Sequence, residues 1–242
     1  MRRRSAFVGP SQQAVFSVGG RSKSIEKYAR SHVGGFFAWK GNRVTVMRIV
    51  WKQLHLKLGW RALPFLVGTF AGLGSYRREI LSPTDDEGLT AAKRRLALLG
   101  LIYRRLIPRL GETTARDTVC ELAAELAASV QRAMYMPGGR QTTWERFHEK
   151  HEREMSAGLY RFNRYTPAKQ DERTYRFEIE RCVFLDALRA MGLEEATEGF
   201  CRSDEVVYNQ CVEHMSFHRG TIQPNTLARG ANRCAFFFER KE

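Results

Sequence analysis

Acidic residues are nearly absent from the first third of this 242-residue chain. Residues 1–84 contain Glu26 and Glu79 as their only acids, against 15 Lys and Arg, a net charge of +13. Residues 85–242 hold 25 basic and 24 acidic residues, a net +1. The overall +14 therefore belongs to the N-terminal third, and the rest is a balanced globular chain. Such a region suits contact with nucleic acid, anionic lipid or an acidic partner, and equally a solvated or targeting arm. No specific nucleic-acid motif accompanies the charge.

Long apolar runs are also missing. The longest stretch, Ala62 to Tyr76, is broken by Pro64 and three glycines. It falls short of the roughly twenty residues a membrane span needs, and reads as a buried or interfacial segment. No C-x-x-C pair exists among the five cysteines, which weakens a structural zinc reading. Five is an odd number, and no clear signal peptide precedes them. Free thiols in a reducing compartment are expected, and with them a cytoplasmic protein. The opening Met1-Arg2-Arg3-Arg4-Ser5 would suit a mitochondrial transit peptide in a eukaryote and a plain basic arm in a bacterium. Phosphate loops, dinucleotide fingerprints and Gly-x-Ser-x-Gly elbows are absent too, which removes the most recognisable enzyme classes.

What is present is enough apolar residue, 43%, for a real core. Residues 1–24 lack periodicity and read as a disordered basic arm. Residues 25–84 read as a basic helical region. Its clearest element is an amphipathic helix over Val44–Gly59, with Val46, Ile49, Val50, Leu54 and Leu58 at helical spacing. The core-facing and membrane-surface readings of that helix both fit its pattern. Ser82 to Gly88 is a turn with an acidic N-cap, and it marks the change in composition. A domain over 85–242 follows.

Within that domain, helices are expected over Thr90–Leu110, ended by Gly111, and from Thr113 or Thr114 to Met134. Met136-Pro137-Gly138-Gly139 stops the second. A third helix, Thr143–Leu159, is polar, with His148 and His151 expected on its solvent face. Alternation predicts a strand at Thr174–Glu180, and further strands at Val212–Arg219 and Arg233–Glu239. Cys182–Met191 and Ser203–Cys211 read as helices, the latter with Ser203 as N-cap. The fold class is α+β: a helical N-terminal half and a small, mainly antiparallel C-terminal sheet flanked by helices.

Several residues carry possible chemistry. Cys182, Cys201 and Cys234 are each a nucleophile or soft metal ligand if ionised, and otherwise buried, inert thiols. Three cysteines with one outside ligand would also suffice for an iron–sulfur cluster. His214 and His218 are spaced i, i+4, but on a strand they would stand about 13 Å apart, too far to share an ion. Asp204 is a general-base candidate or a first-turn helix acid. The turn Pro224–Gly230 offers Asn225 and Thr226 as neutral hydrogen-bonders, and Gly230 permits positive φ. Arg219 or Arg229 could clamp a carboxylate.

The last sixty residues also carry a resemblance. A helical Cys182 precedes Gly192-Leu193-Glu194-Glu195; Cys201 precedes Asp204; and Asn225-Thr226-Leu227-Ala228-Arg229-Gly230 leads to Cys234-Ala235-Phe236. This order resembles the L-2-amino-thiazoline-4-carboxylic acid hydrolase family, over roughly residues 90–242. Ala235 departs from it, standing where the family usually has Asp. The resemblance implies a hydrolase that adds water to a small cyclic amidine and leaves N-carbamoyl-L-cysteine. It implies Cys201, Asp204 and Cys234 as catalytic candidates, and Cys182, Asn225, Thr226, Arg219 and Arg229 as substrate contacts. No cofactor and no metal are expected, and the expected partner is a small-molecule substrate. If the family Asp takes part in the chemistry, this chain has lost or changed the activity. The alternatives are a non-catalytic binding module of the same fold, or a Cys-ligated metal or iron–sulfur protein.

Overall fold

The computed structural model describes residues 43–166 and 169–241, so the expected arm at 1–24 lies outside it. Helix α1 (Arg43–Leu58) and helix α2 (Ala62–Ile80) are joined by a tight turn. Long helices α3 (Glu87–Leu110) and α4 (Glu112–Tyr135) follow. The start of α3 is fixed by Asp86, whose side chain accepts from the Leu89 N–H at 2.7 Å. Asp85 beside it pairs with Lys93 at 2.8 Å, both side chains almost fully buried. Gly111 ends α3 at φ 79°, a backbone region that favours glycine. The Ala62–Tyr76 segment is one helix, buried on one face and exposed on the other.

Helix α5 (Trp144–Met155) is capped by Thr143, and the small strands β1 (Arg164–Tyr165) and β2 (Lys169–Gln170) come next. Strand β3 (Thr174–Arg181) runs into α6 (Val183–Ala190), then α7 (Ala196–Cys211), β4 (Met215–His218) and β5 (Cys234–Arg240). The five strands form one antiparallel sheet in the order β1-β3-β5-β4, with β2 also paired to β3. The α+β class is as the sequence predicts.

Two expectations need correction. Helix α7 begins at Ala196, before Ser203, so Ser203 is no N-cap and its hydroxyl donates to Phe200 O at 2.7 Å. At Gly199 within this helix, a Cβ would sit 2.5 Å from Cys120 O, so its absence lets α7 cross closely over α4. The expected strand from Val212 shrinks to β4, because His214 adopts φ 57° and breaks the extended run.

Two cores result. One joins the helices α1 to α4 with α6, around Leu54, Leu99, Ile102, Leu122 and Leu188. The other lies under the sheet, where period-two alternation aims Tyr175, Phe177 and Ile179 of β3 and Cys234, Phe236 and Phe238 of β5 inward. Tyr160 and Cys182 pack against both cores, and between them lies a cavity.

Candidate active site

The cavity is about 70 Å³ and takes walls from helices α4 to α7 and from the inner face of the sheet. Cys201 and Asp204 are three residues apart on α7, so the helix presents both to the same side. Cys182 comes from the N-cap of α6, Cys234 from β5 and Arg219 from the residue after β4. All five line this one space. These residues are scattered over 53 positions of sequence, and the fold brings them together.

The polar centre is an ion pair. Arg219 Nη2 donates to Asp204 Oδ2 at 2.6 Å, with the arginine side chain 1% exposed and the aspartate 17%. Gln131 Nε2 of α4 donates to the other Asp204 oxygen. Phe236 lies under the guanidinium, ring centre 4.2 Å from Cζ, and Phe217 stands 5.4 Å away. The remaining guanidinium nitrogens, Nε and Nη1, are buried without a hydrogen-bond partner, as are Gln131 Oε1 and the Thr197 hydroxyl. Unpaired buried groups of this kind are costly: a ligand carboxylate would answer the Arg219 donors, and a ligand N–H the Gln131 oxygen.

Burial dominates the titration here. It raises the Asp204 carboxyl above its usual 3.8, although Arg219 and Gln131 pull in the opposite direction. Burial pushes the Cys182 thiol up to about 12 and raises those of Cys201 and Cys234 as well. At neutral pH all three are thiols, suited to donating a proton rather than to attack. Cys234 Sγ also accepts from the Leu227 N–H at 3.0 Å, which ties the following strand to the Asn225–Gly230 loop.

The other expected contacts lie apart. Asn225 and Thr226 are not on the cavity wall; Asn225 Oδ1 and Thr226 Oγ1 are buried and unpartnered. Arg229 faces away, 3.8 Å from Glu198, because a short helical turn and Gly230 at φ 87° carry it to the surface. Arg219 alone of the two arginines enters the cavity. Ala235 points to the opposite face of the sheet, since its neighbours Cys234 and Phe236 both point in.

The histidines of α5 overturn their expectation. His148 and His151 are buried, at 5% and 1% exposure. His151 sits among the rings of Tyr135, Phe147, Tyr175, Phe177, Tyr208 and Phe238, and it lines the cavity. The signal was available: Trp144, Phe147, His148, His151 and Met155 share one helical face, and two of the five are large hydrocarbon-rich rings that must face a core. His214 and His218 are surface residues, each beside a glutamate. Among the described residues no group of three or more His, Cys, Asp or Glu is arranged to hold a metal ion.

The profile of the L-2-amino-thiazoline-4-carboxylic acid hydrolase family matches residues 91–238, more than half of the chain. The chain belongs to that family. The matched span begins inside α3 and ends in β5, so it contains every wall of the cavity. Neither the curated proteins nor the solved structures yielded a match. Sequence reasoning missed Gln131, His151, Tyr160 and Tyr208 as cavity residues. Gln131 and the two tyrosines stand in runs where nothing in spacing separates a lining residue from a packed one.

Proposed function

We propose that the cavity is the active site of a hydrolase that opens a small cyclic amidine bearing a carboxylate, such as L-2-amino-thiazoline-4-carboxylate. The observation that carries the reading is Arg219, held by Asp204 through one nitrogen and left with two unpaired donors inside a cavity of the family domain. Each unpaired N–H is a charged donor whose preferred partner is an anionic oxygen such as that of a ligand carboxylate.

In this reading Asp204 accepts a proton from water as the oxygen bonds to the carbon between ring nitrogen and sulfur. The tetrahedral centre collapses to a urea as its hydroxyl proton passes to the ring nitrogen, and the carbon–sulfur bond breaks. The departing sulfur takes a proton from a cavity thiol, Cys201 or Cys234, which Asp204 then restores. One water is consumed and the product is N-carbamoyl-L-cysteine. The aromatic walls exclude other water, which strengthens each polar contact.

The deciding experiment incubates the full chain with L-2-amino-thiazoline-4-carboxylate and follows N-carbamoyl-L-cysteine by mass spectrometry. Turnover that disappears in Arg219→Lys, at unchanged melting temperature, supports the assignment. Absence of turnover in the parent protein, with the ligand also failing to raise the melting temperature, removes it.

A further inference from the structure

The outer surface of α1 and α2 contributes nothing to the cavity, yet it is built with care. Leu63, Val67 and Phe70 recur at i, i+4 and i+7 along α2 and are 56%, 64% and 39% exposed. Trp60, in the turn before them, is 80% exposed, and Leu56 69%. The inner face of the same helix, with Ala62, Phe65, Leu66 and Thr69, is buried against the helical core. Scattered exposed apolar residues are ordinary, whereas a continuous stripe with a tryptophan at its end marks a contact surface.

The rim of the stripe is basic. Lys57 and Arg61 flank Trp60 and are exposed. On the neighbouring α3, Arg109 stands over the Phe65 ring at 5.3 Å, and the Arg105 guanidinium lies against Gly68 and Gly72. Between residues 43 and 80 the only acid is Glu79, and it is paired to Arg104.

We infer that this face docks onto the surface of an anionic lipid bilayer. Apolar side chains with a tryptophan enter the headgroup boundary, and flanking Lys and Arg are drawn to negative headgroups. Among the described residues no helix is long and apolar enough to cross a membrane, so the helix lies on the surface rather than spanning it. Charge argues against the other occupants. A second copy would bring the same cations together. Residues 1–42 carry eight Lys and Arg against Glu26 alone, so they meet the same repulsion. A nucleic acid would answer the cations but leave Leu63, Val67 and Phe70 in water.

The test is co-sedimentation of the full chain with vesicles of phosphatidylcholine alone, or of equal parts phosphatidylcholine and phosphatidylglycerol. The parent should bind the mixed vesicles, ignore the neutral ones, and release with salt. The triple variant Trp60→Ser, Leu63→Ser, Val67→Ser should keep its melting temperature and lose at least about tenfold in vesicle affinity. Lys57→Glu with Arg61→Glu should lose about tenfold as well. The inference falls if the parent binds neither vesicle, or if the triple variant binds as the parent does, because the remaining basic residues then carry the attraction. It falls too if the triple variant dissolves a dimer in analytical ultracentrifugation, or unfolds at lower temperature, since the stripe is then covered by protein.

Discussion

Arg219 and Asp204 form an ion pair in which the arginine is almost fully enclosed and keeps two guanidinium nitrogens without partners. A pair built only for stability would saturate its donors, since buried ion pairs gain little otherwise. Asp204 is also held from the far side by Gln131, so its carboxylate is positioned on both oxygens.

The pH profile of turnover follows from Asp204. Burial raises its pKa above 3.8, so the basic form needed to accept a proton from water appears only above the ordinary carboxylate range. The acid limb of kcat/KM should therefore lie above that range. Asp204→Asn keeps the shape and should lower kcat by about two to four orders of magnitude. An acid limb that survives unchanged in residual Asp204→Asn activity would assign the titration to another group.

His151 sets a stability limit at low pH. Burial lowers its pKa from 6.5 to about 3, so the folded state holds the ring neutral. The unfolded chain binds a proton near pH 6.5 and the folded chain does not. The contribution is fully present above pH 6.5 and is lost as pH falls toward 3, about 2 to 3 kcal/mol by pH 4.5. His148, lowered for the same reason, acts in the same direction. Thermal melts between pH 7 and pH 4.5 should show the fall, and His151→Phe should flatten it. An equal slope in that variant would place the effect elsewhere.

These two sites mark how far the sequence was legible. Regular elements were readable because their signals are local: the Asp86 cap, the Gly111 stop, and the alternation of Tyr175, Phe177 and Ile179. The meeting of Cys182, Cys201, Asp204, Arg219 and Cys234 in one cavity was not local. Side-chain chemistry and the family resemblance singled them out as candidates, and only the packing of α7 against the sheet joins them. His151 misled because the charged residues of α5 dominate its composition, although its apolar face has the right period. Arg229 and Arg219 were indistinguishable in sequence; a left-handed glycine sends one out, and the end of β4 sends the other in.

Gly199 controls where α7, and with it Cys201 and Asp204, can lie. Alanine improves helix propensity by about 1 kcal/mol. Its Cβ would, however, stand 2.5 Å from the backbone oxygen of Cys120 and 3.0 Å from Ala124 N. Backbone cannot rotate away as a side chain does, so the helices must separate. Gly199→Ala should lower stability by about 1 to 3 kcal/mol, and it should reduce turnover in the fraction that stays folded. Denaturant unfolding together with kcat measures both; a stabilised Gly199→Ala would show that α7 and α4 are not packed as described.

Ala235 is the one departure from the family ending, and Ala235→Asp tests whether that departure matters to the chemistry. On β5, Cys234 and Phe236 face the cavity, so position 235 faces the opposite side of the sheet. A one-residue slip of the strand would reverse this, but the register is pinned by Ile179 against Cys234 and Phe177 against Phe236. An aspartate at 235 would stand across from Glu178, which already pairs with Arg233 at 2.6 Å. Like charges directly opposite on neighbouring strands cost a few tenths to about 1 kcal/mol. Arg233 and the solvent around it screen part of that. Ala235→Asp should therefore leave kcat and KM within about twofold while lowering the melting temperature by a few degrees at most. A rise in turnover of an order of magnitude or more would mean that the aspartate reaches the reacting atoms, and that β5 turns its other face to the substrate.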